Sequence, residues 1–310
     1  MKIGVIDIGT NSMRLLTANL IDKKLTDRKK YVNTTRIGQG VDENGFITDE
    51  AMNRNIDALK EYHEKCVEYG CEKIYCIGTS ALRDSKNKIE FIKRAESESN
   101  ICVEVIDGDL EAKLGFLGVI SSIEVEGNIL VLDIGGGSTE FIFGNKDGIK
   151  KNISLNIGAL RLTEKFLSNG YSEESLLNMK SFIKENIKDV VKYLRQEDIS
   201  CICGIGGTIT SLSAVNQDLK EYSMEKVHGS KIKIEEVRNM LNRFINCSDD
   251  ERKHINGLQP KRADIITAGT EILVCIMEDI SEEEIIVSEY DNLEGMIYYK
   301  WYTDYYFNCW

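Results

Sequence analysis

The sequence predicts an α/β protein with two domains built on a duplicated unit. Short β-branched runs alternate with segments whose apolar residues recur with a period near 3.6, which is typical of strands and helices packed in layers. A length of 310 residues suits two domains of ordinary size. An apolar hairpin with an aspartate just before its turn occurs twice, 126 residues apart, with Asp7 matching Asp133.

The first half opens with a predicted strand, a tight turn and a second strand. The β-branched run at residues 3–8 is interrupted by Gly9-Thr10-Asn11-Ser12 and followed by an apolar run at residues 13–20. After a polar stretch that we expect to be a loop, an amphipathic helix is predicted at residues 49–69, and Gly70 is expected to end it. The other predicted elements are strands at 73–77 and 103–106 and helices at 88–97 and 110–120.

The second half repeats this beginning. A predicted strand at residues 129–133 leads into the glycine-rich turn, and a second strand follows at 139–143. The other predicted elements are helices at 172–194, 208–215, 234–245, 263–277 and 292–301 and strands at 201–205 and 285–288. The predicted first domain is residues 1–124, completed by 290–310, and the second is residues 125–289.

Composition and charge narrow the class of protein. Apolar residues make up 42% and charged residues 29%, which is enough apolar surface to bury a core. The net charge of −12, without a long basic run, disfavours binding to duplex nucleic acid. No stretch approaches the roughly 20 apolar residues that span a bilayer, and the N-terminus has no charged, apolar leader. We therefore expect a soluble cytoplasmic protein without a membrane partner.

The nine cysteines predict free thiols rather than a disulfide framework or a metal site. Their number is odd, and the spacing of Cys66, Cys71 and Cys76, and of Cys201 and Cys203, matches no zinc or redox signature. A reducing cytoplasm keeps such thiols reduced, and we expect most of them to be buried.

The two hairpin turns are candidate phosphate-binding sites. A turn rich in Gly and Ser presents several backbone N–H groups in one concave patch, and such nests bind phosphate oxygens without a cationic side chain. One such turn is weak evidence because most glycine-rich turns are only tight turns, but two matched copies are stronger. The candidates are Gly9, Thr10, Asn11 and Ser12 in the first turn and Gly135, Gly136, Gly137 and Ser138 in the second.

Asp7 and Asp133 occupy the same position in the two copies. Each ends a predicted buried strand, where a carboxylate is costly unless it serves a metal ion or water, or bonds to the turn backbone. Other phosphate motifs do not fit the sequence. It contains no G-x-x-x-x-G-K-[ST], and Gly204-Ile205-Gly206-Gly207 lacks the third glycine of a dinucleotide fingerprint. With three histidines in the chain, a zinc protease or a histidine-based triad is disfavoured.

Five motifs follow one another in the order and spacing of a known family. They are Asp7-Ile-Gly-Thr-Asn-Ser12, Thr79-Ser-Ala-Leu-Arg83, Ile106-Asp-Gly-Asp-Leu-Glu111, Asp133-Ile-Gly-Gly-Gly-Ser-Thr-Glu140 and Gly158-Ala-Leu-Arg161. With them, the sequence resembles the exopolyphosphatase/guanosine pentaphosphate phosphatase family over nearly its whole length. The resemblance implies the fold of the actin/hexokinase/Hsp70 superfamily, two ribonuclease-H-like domains with the active site in the cleft between them. The chain resembles the short family form without C-terminal helical domains.

The resemblance also implies how the site residues act. Hydrolysis of a phosphoanhydride needs an in-line water, a group that orients or deprotonates it, and positive charge on the phosphoryl oxygens. Glu111 is implied as the general base, although a first-turn carboxylate is also favoured by the helix dipole alone. Arg83 and Arg14 would supply fixed positive charge to the phosphoryl group. The alternative for Arg14 is an ordinary surface residue of its strand. Arg161 would contact either a further phosphate or a carboxylate of the other domain.

Asp7, Asp133 and Glu140 would crowd carboxylates around a polyanion. Glu140 follows the second turn by two residues on a strand, so it can point toward the same site as Ser138 and is also a candidate catalytic residue. Because carboxylates repel phosphates strongly in a partly buried site, a divalent cation is expected to bridge them. Oxygen ligands favour Mg²⁺, with Mn²⁺ as the alternative, over zinc.

The predicted function is that of an exopolyphosphatase, which releases orthophosphate from the ends of inorganic polyphosphate. Hydrolysis of guanosine pentaphosphate is the alternative within the family, because it uses the same phosphate chemistry with room for a nucleoside. From other classes, two alternatives stay open. One is an actin-like ATP-binding kinase, because Gly206-Gly207-Thr208 lies where the superfamily that the sequence resembles has a later glycine motif in contact with adenosine. The other is a noncatalytic sensor of polyphosphate or an alarmone. A homodimer is among the expected assemblies.

Overall fold

The two predicted hairpins each lie within a mixed β-sheet. In the computed structural model, which describes residues 1–168 and 170–307, the chain divides into two units. Unit 1 contains Met1–Gly118 and the segment that starts at Asn292, and unit 2 contains Val119–Asp291. The chain therefore leaves unit 1 once and returns to it through its last helix.

Unit 1 is built on a five-stranded sheet with the spatial order β3-β2-β1-β4-β5. The first three strands are antiparallel neighbours, and β4 and β5 continue the sheet parallel to β1. The strands are β1 (Lys2–Ile8), β2 (Met13–Ile21), β3 (Lys24–Asn33), β4 (Lys73–Gly78) and β5 (Val103–Val105).

Helices cover both faces of this sheet because successive side chains of a strand point to opposite faces. Ile6 and Ile8 of β1 belong to the core under α2 and α4, whereas Ile3 and Val5 belong to the core under α5 and α13. The helices of unit 1 are α1 (Val41–Asn44), α2 (Asp49–Tyr69), α3 (Ser80–Asp84), α4 (Lys88–Ser99), α5 (Gly108–Ile120) and, at the end of the chain, α13 (Asn292–Phe307).

Unit 2 is built on a six-stranded sheet with the order β10-β11-β9-β6-β7-β8. Its antiparallel trio β6, β7 and β8 repeats the trio of unit 1, and β9 and β11 extend it in parallel. β10 adds one antiparallel edge strand. The strands are β6 (Ile129–Ile134), β7 (Thr139–Asn145), β8 (Gly148–Leu155), β9 (Cys201–Ile205), β10 (Lys231–Lys233) and β11 (Glu284–Val287).

The helices of unit 2 form one large apolar core with this sheet. α12 is buried along nearly its whole length, which explains its almost continuous apolar sequence. The helices are α6 (Ala159–Leu162), a π-helical turn (Thr163–Leu167), α7 (Glu173–Leu194), α8 (Gly206–Asn216), α9 (Met224–Val227), α10 (Ile234–Asn246), α11 (Asp249–Lys253), a 3₁₀ turn (Pro260–Arg262) and α12 (Ile266–Ile280). No helix in the described part of the chain is long and apolar enough to cross a membrane.

The predicted fold class is confirmed, because each unit contains three antiparallel strands followed by parallel ones, the ribonuclease-H-like order. The loop predicted after residue 20 is wrong in part, since residues 24–33 form β3. Its side chains are partly exposed on both faces, so β3 lacks the apolar alternation by which a strand is recognised. The sequence analysis missed β8 for the same reason, because its residues also lack a regular apolar alternation.

Candidate active site

Backbone hydrogen bonds aim the amide groups of the first turn in one direction. Gly9 N–H donates to the Ser12 carbonyl at 3.1 Å, which closes the turn. The carbonyls of Thr10 and Asn11 each accept a backbone N–H from the segment 36–38 at 3.0 Å. A trans peptide points its N–H opposite to its C=O. The N–H groups of Asn11 and Ser12 therefore point away from that segment, as a phosphate nest requires.

The second turn is built in the same way. Gly135 N–H donates to the Ser138 carbonyl at 2.9 Å. The carbonyls of Gly135, Gly136 and Gly137 accept hydrogen bonds from the segment 159–161 at 2.7–3.0 Å. The N–H groups of Gly136, Gly137 and Ser138 consequently point away from it. The matched turns seen in the sequence are thus matched in three dimensions, and each offers successive amides to an anion.

Arg161 donates two hydrogen bonds to the second turn. Its Nε donates to the Gly137 carbonyl at 2.7 Å, and its backbone N–H donates to Gly136 at 3.0 Å. Position 158 requires glycine, because a Cβ there would lie 2.5 Å from the Gly136 carbonyl oxygen. The described contact gives Arg161 a role that the sequence did not suggest, which is to fix the turn.

Asp7 and Arg14 are directly opposite each other on β1 and β2 and form an ion pair through Oδ2 and Nη2. Asp7 is 3% exposed. Opposite charges on cross-strand neighbours attract, and here the pairing neutralises a buried carboxylate. The predicted roles of Asp7 at a metal ion and of Arg14 at phosphate stay predictions, and the ion pair between them is a contact that the sequence did not indicate.

Glu111 lies in the first turn of α5 and is 7% exposed. Arg83, at the end of α3, donates from Nη1 to Glu111 Oε2 at 2.9 Å and to the Ile106 carbonyl at 3.2 Å. The second bond fixes the guanidinium to the backbone before α5. The ion pair therefore holds the Glu111 carboxylate in one orientation.

Burial raises the pKa of Glu111 above its ordinary value. The hydrogen bond and charge of Arg83 oppose this shift, the nearby Asp7 adds to it, and Arg14 opposes it. These four side chains of unit 1 thus form one electrostatic cluster. A buried carboxyl with a raised pKa and a fixed orientation has the properties of a general base.

Asp133 and Glu140 are cross-strand partners on β6 and β7 and occupy the positions in unit 2 that Asp7 and Arg14 occupy in unit 1. Glu140 is 3% exposed and accepts a hydrogen bond from Ser154 Oγ at 2.9 Å. Two carboxylates on directly opposed positions repel each other. Unit 2 therefore places two carboxylates beside a second phosphate-type turn.

The Asp133 carboxylate lies against the start of α8. A Cβ on Gly206 would be 2.2 Å from Asp133 Oδ1, and Gly206 has a φ of +80°, so only glycine fits there. The sequence did not reveal the partners Gly206 and Ser154, because the first depends on a positive φ and the second on the unpredicted strand β8.

The oxygen donors of this pair suit Mg²⁺ better than zinc. Among residues 1–168 and 170–307, no group of three or more His, Cys, Asp or Glu side chains could hold a metal ion. A zinc site closed by the protein alone is therefore not supported in the described chain. Mg²⁺ commonly takes one or two carboxylates and completes its shell with water and substrate phosphate, which Asp133 and Glu140 fit.

The family model described as the Ppx/GppA phosphatase family matches residues 20–303. The chain belongs to this family. It is 43% identical over 305 residues to the bifunctional 3-dehydroquinate synthase/phosphatase of Fusobacterium nucleatum, a match that covers 94% of this chain and 45% of that protein. It is 30% identical over 310 residues to exopolyphosphatase 2 of Mycobacterium tuberculosis, which covers 95% of this chain and 97% of that one.

A third relative and two solved structures complete the comparison. The guanosine-5′-triphosphate,3′-diphosphate pyrophosphatase of Aeromonas salmonicida is 28% identical over 94% of this chain and 58% of that protein. An exopolyphosphatase structure from Cytophaga hutchinsonii superposes with a TM-score of 0.88 at 32% identity, covering 96% of this chain and 97% of that one. The Aquifex aeolicus Ppx/GppA family member gives 0.81 at 31% identity and 98% coverage of both chains. The family resemblance and the fold predicted from the sequence are confirmed.

Proposed function

We propose that this chain is an exopolyphosphatase that removes terminal orthophosphate from inorganic polyphosphate. The observation that carries the proposal is the pair of matched turns, whose amides at Asn11–Ser12 and Gly136–Ser138 each lie next to a buried charged pair. Repeated nests suit a ligand that is itself a repeat of phosphate groups. The likeness to a relative named exopolyphosphatase, over nearly the full length of both chains, supports the same conclusion.

Glu111 is the proposed base for the attacking water. Its carboxyl is buried, its pKa is raised, and Arg83 holds it from one side. In this role Glu111 accepts the proton of the water as the oxygen attacks the terminal phosphorus. Arg83 keeps the carboxylate in its acceptor orientation and adds positive charge near the transferred phosphoryl group.

Asp133 and Glu140 are the proposed holders of Mg²⁺, with Mn²⁺ as the alternative. When bound, the ion neutralises charge on the phosphate oxygens. We assign the metal to this pair because two opposed carboxylates offer the oxygen ligands that Mg²⁺ prefers. Asp7, which pairs with Arg14, stays a prediction as a third ligand.

The proposal assigns a part in phosphate hydrolysis to residues of each unit. Substitutions in either unit should then lower the rate of the same reaction, which is testable with Ser12→Ala in the first turn and Ser138→Ala in the second. Each removes one hydroxyl donor beside the turn and leaves the backbone amides in place, so a partial loss of rate is expected.

Hydrolysis of guanosine pentaphosphate is the second candidate, favoured by the likeness to the Aeromonas protein. The kinase alternative has less support. It relies on Gly206-Gly207 as an adenosine contact, but Arg262 lies over Gly207, where an added Cβ would be 1.8 Å from the Arg262 Nη1 atom.

The deciding experiment measures phosphate release from short polyphosphate, long polyphosphate, guanosine pentaphosphate and ATP, side by side with Mg²⁺. We expect polyphosphate to be hydrolysed fastest. Faster release from guanosine pentaphosphate would replace the first candidate by the second. Transfer from ATP to an acceptor without polyphosphate hydrolysis would indicate a kinase, and tight binding without turnover would indicate a sensor.

The assembly of the chain is a separate proposal. A homodimer stays a prediction, and light scattering of the purified protein tests it by measuring the mass of the particle in solution.

Because the Fusobacterium relative carries both activities in one chain, we also propose association with a separate 3-dehydroquinate synthase. The test mixes the two purified proteins and separates them by size-exclusion chromatography. Migration as one larger species would support the complex, and migration as separate peaks would exclude a stable one.

A further inference from the structure

The end of α2 brings two cysteines together. Gly70 has a φ of +79°, and Cys71 N–H donates to the Cys66 carbonyl at 2.9 Å. This six-residue hydrogen bond defines a common way of ending a helix, in which the side chains at its two ends frequently contact each other. In most proteins that contact joins two apolar side chains. Here both side chains are thiols.

The two sulfur atoms lie over Gly4 of β1. A Cβ on Gly4 would be 2.6 Å from Cys66 Sγ and 3.3 Å from Cys71 Sγ. The volume that a side chain would fill at position 4 is thus taken by both thiols, which also hydrogen-bond to each other. Both cysteines are free in the structure.

The two thiols differ in exposure and acidity. Cys66 is fully buried, whereas Cys71 is partly exposed. The hydrogen bond from Cys66 holds the pKa of Cys71 below its ordinary value, burial opposes this shift, and the charge of Lys2 adds to it. Cys71 therefore has the character of an attacking thiol, and Cys66 lies behind it as a resolving partner.

We propose that Cys66 and Cys71 form a reversible disulfide when the protein meets a hydroperoxide. The Cys71 thiolate attacks one peroxide oxygen, the O–O bond breaks, and the leaving oxygen takes up a proton, which gives a sulfenic acid and water or an alcohol. The Cys66 sulfur then attacks the sulfenic sulfur, and the S–OH bond breaks. The departing hydroxide takes the Cys66 proton and leaves as water, so two thiols are oxidised and one peroxide is reduced.

The cross-link would join the last turn of α2 to the loop that leads into β4. Intracellular disulfides of this kind are usually transient, because cellular thiols reduce them by exchange. Residues 66 and 71 lie outside the phosphate turns and the Glu111 cluster. The proposal therefore does not depend on the proposed substrate.

The test treats the native protein with hydrogen peroxide and maps its cysteines by mass spectrometry of unreduced peptides. Cys102→Ser is the matched control, because Cys102 is an exposed thiol outside the pair. We expect a peptide cross-linked between residues 66 and 71 in the wild type and in Cys102→Ser. It should disappear after dithiothreitol, and Cys66→Ser should instead accumulate sulfenic acid at Cys71.

Two results would overturn the proposal. One is oxidation of Cys102 in the wild type while Cys66 and Cys71 stay reduced, which would leave the pair as a packing contact only. The other is stable oxidation of Cys71 without a link to Cys66, which would show that the buried thiol cannot reach it. Because the wild type itself is the sample, neither result depends on whether a variant folds.

Discussion

Arg83 Nη1 lies 2.9 Å from Glu111 Oε2 and so joins two motifs that are far apart in the sequence. The same guanidinium nitrogen also reaches the Ile106 carbonyl, just before the helix that carries Glu111. Arg83 therefore positions the proposed base and lowers the cost of its buried charge. An arginine with both contacts affects the pKa of the carboxyl and its geometry together.

Replacing Glu111 by Gln is expected to lower the rate of phosphate release by a factor on the order of 10² to 10⁴, the usual range for a general base. The free energy of unfolding at neutral pH should not fall. A folded-state pKa above the unfolded one means that the charged carboxylate costs stability above that pKa, and Gln removes the charge. Phosphate release and urea denaturation measure the two effects.

The matched control is Glu90→Gln, which removes an exposed first-turn carboxylate from α4. Its rate should stay near that of the wild type. Near-normal turnover in a folded Glu111→Gln protein would contradict the role as a base. Glu111 would then be only a first-turn carboxylate that the helix dipole favours.

The acid side of the pH profile should report the raised pKa of Glu111. The base must be deprotonated, so kcat/KM is expected to fall below a pH that lies above the ordinary range of a glutamate. Arg83 lowers this pKa, and Arg83→Gln should therefore move the acid limb to higher pH. Arg94→Gln, which breaks an exposed pair on α4, should leave the limb in place. An unmoved limb in Arg83→Gln would assign it to another group.

Metal removal should abolish activity without changing the folded protein. Since the described residues hold no group of three ligands, the ion would need substrate oxygens to complete its shell. Chelation is then expected to stop phosphate release while the melting temperature without substrate stays constant. Glu140→Gln should raise the Mg²⁺ concentration for half-maximal rate, whereas Glu284→Gln at the start of β11 in the same sheet should not. Full activity in excess chelator would exclude the metal.

The sequence predicted those features that depend on local pattern. Both hairpins and the helix Asp49–Tyr69 with its glycine end are confirmed, because apolar period and turn residues decide them locally. The edge strands β3 and β8 were missed because tertiary pairing, not apolar alternation, makes them strands.

The candidate site shows the same division. The turns were predicted from their glycines, but the hydrogen bonds that orient their amides come from segments 36–38 and 159–161, which no local pattern connects to them. The Asp7–Arg14 pair follows from the register of the first hairpin. The second hairpin has Glu140 at the position of Arg14, a difference that is visible when the two repeats are aligned. The juxtaposition of Cys66 and Cys71 required the helix end in three dimensions.

The last helix is anchored to unit 1 by a buried charge cluster. Glu294 is fully buried and accepts hydrogen bonds from Arg28, and its other oxygen lies 3.1 Å from Lys30 Nζ. Glu294→Gln would leave two cations near a neutral amide and is expected to lower the free energy of unfolding by about 3 kcal/mol. Glu61→Gln breaks only an exposed pair with Lys65 and should cost less than about 0.5 kcal/mol in the same denaturation experiment.

The neighbouring Gly295 connects this helix to the proposed base. A Cβ at this position would lie 1.8 Å from the Leu114 carbonyl oxygen, so Gly295→Ala must push α13 away from α5. Replacing an exposed helical glycine by alanine raises the free energy of unfolding by about 1 kcal/mol. At position 295 the overpacking against Leu114 should instead lower it by about 1–3 kcal/mol. Leu114 lies one turn after Glu111, and displacement of α5 should therefore lower kcat more than it raises KM. A variant that is destabilised but keeps its kcat would show that α13 supports the unit without positioning Glu111.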